Sequence, residues 1–252
     1  LEFVEEFSRT TSLATQVWAE ARRKSDFALF RPHLGRIIEM VRTRAEYYGY
    51  TTEKYDALID DYEPGAQAAE IEKTFAGLRT DLVELVGKVQ DAPRRPDVGI
   101  LRRQWDVRKQ QIFANVVVGA LGYDLDSGRI DETVHPCCNG LGPRDVRILV
   151  RFSERDFNDG FQATVHETGH AFYSLSQESG DLWGTPMTRT PSLAIHESQS
   201  RTWENFVGRS RHFWVYFYPQ LQRLFREQSE GVTLDEFYGE INWVAPSYIR
   251  GQ

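Results

Sequence analysis

The chain has 252 residues, 40% of them hydrophobic and 27% charged, a composition ordinary for a folded globular protein. Its formal net charge of −7 leaves no basic surplus to neutralise phosphates, which argues against a nucleic-acid or anionic-membrane partner. The longest nearly apolar run, Ile112 to Tyr123, is too short and too polar to span a bilayer.

Leu1 leads straight into helix-like sequence without a signal-peptide pattern, as expected of a segment whose upstream residues have been lost. The stretches LATQVWAEARR and LGRIIEMVRTRAEYYGY space apolar residues three and four apart, and Gly49 marks the end of the second. Thr52 is positioned to cap a short segment that stops near Pro64-Gly65. Two long helices are predicted next, over 68–90 and 97–121, with DAPRRPD between them and Gly122 as the second stop. Long helices with short breaks predict a bundle.

The pattern changes at Tyr123. DLDSGRIDETVHPCCNGLGPRD is turn-rich, and VRILVRF after it is the clearest strand. Val146, Ile148, Val150 and Phe152 should face a core, with Asp145, Arg147, Leu149 and Arg151 opposite. Cys137 and Cys138 are adjacent, a spacing that closes a disulfide only with strain and fits no zinc site. Packing is their expected role, and a reducing, cytoplasmic setting is expected with it.

Helical sequence resumes near Asp159 and carries H-E-x-x-H within ATVHETGHAFYSL. Residues four apart lie one turn above each other, so His166 and His170 can aim two imidazoles at one point. Glu167, beside the first, can reach a water on the metal as general base, the arrangement of metallopeptidases. An acid and two histidines turned inward without a metal would be costly to bury. One stripe (Phe161, Val165, Thr168, Phe172, Leu175) suits a core, and a second (Ala163, His166, Glu167, His170, Ser174) is polar with small flanks.

Catalytic zinc needs a third protein ligand. PSLAIHESQSRTWENFVGRS supplies a candidate: Ser192 can cap a helix carrying His196 and Glu197. Ile195, Trp203, Phe206 and Val207 predict that this helix is well buried, favouring Glu197 as ligand. Glu204, two turns on, is a candidate outer partner for a ligand histidine. Zinc fits the mixed nitrogen and oxygen set, and cobalt or manganese could occupy it. Further on, Thr233 to Glu236 is a capping box, and the chain stops in mid-phrase at APSYIRGQ.

A strand beside such a helix can pair with an extended peptide. Arg147 can fork onto a free carboxylate, which distinguishes a chain end from an internal bond; Arg151 is expected to be a surface charge.

These stretches together resemble the Taq-type metallocarboxypeptidases. HETGH matches that family's H-E-x-x-H, and HESQSRTWENFVGRS is similar to the segment bearing its third ligand. HPCC stands where the family has H-P-F, DVRIL where it has D-x-R-x-T, and YIR resembles the start of I-R-x-x-A-D. VWAEARRKSDFALFRPHL is similar to its early helical region, so the resemblance runs through most of the chain. It implies a mainly helical, zincin-like body with a small sheet beside the active site, forming one catalytic region over 1–252. His166, His170 and Glu197 become the metal ligands, Glu167 the base, and His135, Arg147, His196 and Arg250 the substrate contacts. The implied cofactor is one divalent ion, zinc first, and the implied substrate is a peptide with a free C-terminus.

Three departures matter: Cys137 replaces Phe, Leu149 replaces Thr, and the last motif breaks off at Gly251-Gln252. Members of the family are roughly twice this length, so the resemblance implies an internal fragment without the helical lid and C-terminal wall. An oligoendopeptidase-like zincin and a truncated, catalytically weak scaffold, with metal or a homodimer partner, stay open as alternatives.

Overall fold

The computed structural model describes residues 1–93, 96, 99–177, 182–188 and 190–244. The chain divides into two units, Leu1–Val86 and Gly87–Gln252.

In the first unit α1 (Glu2–Lys24) packs on α2 (Phe27–Tyr48). Ser25 turns the chain in the left-handed region, and the Asp26 carboxylate caps α2 by accepting from the Ala28 N–H at 3.0 Å. Phe3 meets Tyr47 edge-on with ring centres 5.2 Å apart, so the pair runs antiparallel. Gly49 ends α2 with φ +74°, as its position predicts. Thr52 does not cap the next helix: α3 (Asp56–Ile59) starts after Tyr55 with no side-chain cap. Asp56 instead accepts from the Ala68 N–H at 2.8 Å and opens α4 (Ala68–Gln90), a helix with the predicted bounds.

In the second unit the predicted 97–121 helix is shorter. Asp106 accepts from the Lys109 N–H at 2.8 Å and starts α5 (Val107–Leu121) there. Upstream, Trp105 is fully buried, and its indole donates to the Ile100 carbonyl at 3.2 Å, a packing that a continuous helix would not give. Gly122 closes α5 in the left-handed region.

The turn-rich stretch holds two strands that its residues do not announce, β1 (130–132) and β2 (Cys137–Gly142). With β3 (Asp145–Val150) they form a sheet of order β1-β3-β2, β1 parallel and β2 antiparallel to the centre. Val146, Ile148 and Val150 are fully buried as alternation predicts, while Phe152 lies beyond the strand and is only partly buried. Both edges of β3 are taken, so an extended peptide cannot pair with it. Among the described residues no further strand pairs with β1 or β2.

α6 (Phe157–Gln177) is the central helix. Ala163 and Ala171 pack against the sheet, and Phe157, Phe161 and Val165 enter an aromatic core with Trp105, Phe113 and Trp214. A third side receives α7 (Leu193–Arg201), which Ser192 caps by accepting from the Ile195 N–H at 3.1 Å. The chain continues as a π-helical turn over 202–208, then α8 (Arg211–Leu224), α9 (Arg226–Ser229) and α10 (Leu234–Ile241). The capping box at Thr233 and Glu236 is fully formed. The described residues are thus mainly helical with one small sheet, the predicted class, and no described helix is long and apolar enough to cross a membrane.

Candidate metal centre

α6 and α7 bring His166, His170 and Glu197 to one place, and among the described residues they are the only group able to hold a metal ion. His166 Nε2 and His170 Nε2 are 3.2 Å apart, and Glu197 Oε2 lies 3.5 and 3.7 Å from them. Those three atoms lie on a circle of about 2.0 Å radius, which fits zinc–nitrogen and zinc–oxygen bond lengths of about 2.0–2.2 Å.

Two different devices orient the imidazoles. His166 Nδ1 donates to Glu204 Oε2 at 2.9 Å, which leaves the Nε2 lone pair turned to the centre. Glu204 is buried in the π-turn, accepts from Arg201 Nη1 at 2.7 Å and has Arg209 Nη2 at 3.7 Å. Burial opposes its ionisation, yet His166 and the two arginines hold its pKa below the usual value. His170 is instead stacked on His196, with ring centres 4.3 Å apart, and its buried Nδ1 has no hydrogen-bond partner among the described residues. Burial first, then the nearby His196 and His166, lower its pKa to about 4 and keep it a neutral donor.

Glu167 is buried on the same helix face. Burial raises its pKa to about 7, against the attraction of His166 and with the repulsion of Glu197 and Glu204. β2 packs on α6 beside this face, and burial first, then the Glu167 carboxylate, raises the pKa of the Cys137 thiol.

The apolar residues Ile195, Trp203, Phe206 and Val207 predict a well-buried α7 segment, but the structure leaves it open on one side. Ile195 and Phe206 are 57% and 79% exposed, and burial runs along one line only, through Ser200, Glu204 and Gly208. Glu197 reaches the histidines because that line faces α6, not because its whole helix is enclosed. His196 sits beside the centre against His170, and Tyr173 meets it edge-on at 5.0 Å. No motif marks Tyr173, though it stands three residues after His170 on the same helix face. Arg147 lies on the outer face of β3, where Asp145 accepts both its Nε and Nη2 at 2.9 Å. Arg151 is no loose surface charge: it donates to Asp159 at 2.7 Å. His135 lies exposed between β1 and β2, outside the donor cluster, and Arg250 lies outside the described residues.

A helical body with H-E-x-x-H facing a glutamate from the next helix has the donor plan of a metal-dependent peptidase. The chain belongs to the carboxypeptidase Taq (M32) metallopeptidase family, whose model matches residues 1–252. It is 41% identical to thermostable carboxypeptidase 1 of Thermus thermophilus over 97% of its own length and 49% of the relative's. To carboxypeptidase 1 of Bacillus subtilis it is 39% identical, over 95% and 48%. The crystal structure of BsuCP superposes with a TM-score of 0.95 at 38% identity, covering 99% of this chain and 50% of that one. The chain therefore spans about half the length of the relatives it matches.

Proposed function

We propose that residues 1–252 form one catalytic region of a metal-dependent carboxypeptidase, both units included, acting on peptides with a free C-terminus. The observation that carries this reading is the convergence of His166 Nε2, His170 Nε2 and Glu197 Oε2 within bonding reach of a common point. Family membership implies a divalent metal; zinc suits the donors, with cobalt or manganese able to occupy them. When bound, the ion supplies Lewis acidity toward the scissile carbonyl and toward water.

The chain's own groups divide the remaining work. Glu167 accepts the proton of the attacking water and passes it to the leaving amine nitrogen. Glu204 holds His166 in the tautomer that donates from Nε2. Arg147, aligned by Asp145, receives the substrate's free carboxylate as a bidentate fork. His196, beside His170, together with His135 and Arg250, completes the substrate contacts that the family motifs imply. The substrate's main chain pairs along the open edge of β2, since β3 has none. A cytoplasmic enzyme fits the two cysteines, which form no disulfide, and a homodimer is its proposed assembly.

The test measures cleavage of one short peptide with free and amidated C-termini. Glu167→Gln should keep metal and lose at least roughly a hundredfold in turnover. Arg147→Ala should impair the free peptide alone, by about 1.5–3 kcal/mol. Near-normal turnover in Glu167→Gln, or equal loss on both peptides in Arg147→Ala, would remove the respective role.

A further inference from the structure

Glu197 is brought to the histidines by a helix crossing tighter than side chains normally allow. A Cβ added at Gly169 would stand 2.6 Å from Ser200 Cα, 3.0 Å from the Gln199 carbonyl oxygen and 3.2 Å from Ser200 N. All three are backbone atoms, so no rotamer change relieves the contact. Ordinary carbon contacts are about 3.5–4.0 Å, so the helices would have to part by about 1 Å. Glycine inside a helix is disfavoured relative to alanine, and Gly169 sits in the middle of α6 with φ in the ordinary helical range. Local helix stability therefore does not account for glycine here; the approach of α7 does.

Ser200, the residue at the contact, is fully buried. Its hydroxyl lies 2.8 Å from the Glu197 carbonyl oxygen and 3.0 Å from Glu197 Oε2, and its one proton is shared between them. That Oε2 is the same atom that faces both imidazoles. The Glu197 side chain is 38% exposed, so without this hydroxyl it has room to swing toward water.

We infer that Gly169 and Ser200 are positioning residues for the third metal ligand. The bare backbone at 169 sets the distance of α7 from the two histidines. The hydroxyl at 200 fixes the carboxylate rotamer that meets them. This rests on the metal-site reading above, and its test separates the two. Neither residue touches the reacting atoms; both act through Glu197.

Zinc affinity is measured by chelator competition, and coordination by the visible absorption of the cobalt-loaded protein. The proteins are the full chain and its Glu197→Ala, Gly169→Ala and Ser200→Ala variants, with both double variants carrying Glu197→Ala. Gly169→Ala should weaken zinc binding roughly 10- to 100-fold and change the cobalt spectrum, and Ser200→Ala should weaken it by up to roughly tenfold. Each loss should vanish once Glu197 is alanine, because the substitutions act through that carboxylate. Ser200→Ala removes one oxygen and leaves the backbone intact, so it carries the test if Gly169→Ala does not fold. Wild-type zinc affinity in the single variants, or equal losses with and without Glu197, would overturn the inference and leave a packing role. Unchanged affinity in Glu197→Ala alone would instead overturn the ligand assignment, and this inference with it.

Discussion

The two units bury different residues. In Gly87–Gln252 the largest fully enclosed side chains are aromatic: Trp105, Phe113, Phe157, Trp214, Phe225 and Phe237. In Leu1–Val86 the buried residues are Ala14, Ala21, Met40, Ala45 and Ala57. α4 buries no residue and leaves Phe75, Leu82 and Leu85 44–62% exposed. Contacts such as Arg36 with Glu6 and Arg44 over Phe7 join α1 to α2 at the surface, and exposed pairs contribute little. The candidate metal centre, His166, His170 and Glu197, lies wholly in the unit with the aromatic core. Three donors within 3.7 Å of one another need helices that cannot slide, and only close packing on several sides supplies that.

The difference between the units should be most easily undone at Trp214. It is fully buried, lies 4.8 Å from the rings of both Phe161 and Phe237, and donates to the Gly208 carbonyl at 2.9 Å. Trp214→Ala should cost about 3–5 kcal/mol. It should also weaken metal binding, because Gly208 ends the turn that carries Glu204. Chemical denaturation with and without zinc measures both; a loss under about 1 kcal/mol would mean that the core tolerates a large void.

Zinc itself should widen the contrast. An ion held only by the second unit stabilises that unit by about 2.7 kcal/mol at a hundred times its dissociation constant. The first unit offers no metal cluster among the described residues. Calorimetry should therefore show zinc raising the transition of Gly87–Gln252 and leaving that of Leu1–Val86 in place. A common upward shift of both would mean that the units unfold together.

Legibility in the sequence divides along similar lines. Periodic segments with polar caps were legible: α2, α4, the alternation of β3, the Ser192 cap and the capping box of α10. His166 and His170 were legible from their four-residue spacing, whereas Glu197 was reached through a helix expected to be buried all round, which it is not. β1 and β2 were not legible, since IDE has a single β-branched residue, CCNGLG has none, and neither alternates; their partner β3 makes them strands. The start of α5 was hidden because apolar residues before Asp106 fill the core in irregular backbone. Gly169 was hidden for a related reason: a close approach between helices belongs to both, and one helix's sequence does not display it.

A smaller effect separates the units by pH. Tyr123 is buried beneath the sheet, donates to the Val146 carbonyl, and has its pKa raised from 10.0 to about 12, first by burial and then by nearby acidic groups. A raised pKa in the folded state favours the neutral phenol. Its contribution is full below about pH 10 and is lost as pH climbs through 12. The second unit should weaken over that window, and Tyr123→Phe should flatten the dependence. Ultraviolet titration of the 11 tyrosines should end on a late step at Tyr123, beyond Tyr218, whose phenol burial also raises. Loss of the late step in Tyr123→Phe would assign it, and its persistence would place it elsewhere.

The smallest effect is expected on α4. Leu82 is 44% exposed on a helix with no buried residue, and alanine is at least as good a helix former as leucine. Leu82→Ala should therefore change the unfolding free energy by no more than about 0.5 kcal/mol, as surface substitutions do. The same truncation at an enclosed leucine such as Leu221 should cost about 2–5 kcal/mol. The ratio of these two numbers tests the contrast directly, since residue type and deleted atoms are the same. A loss above about 2 kcal/mol at Leu82 would mean that α4 is covered in solution. The cover would be another copy of the chain if the loss grew with protein concentration, because subunit association stabilises by mass action. A loss independent of concentration would place the cover within the chain itself.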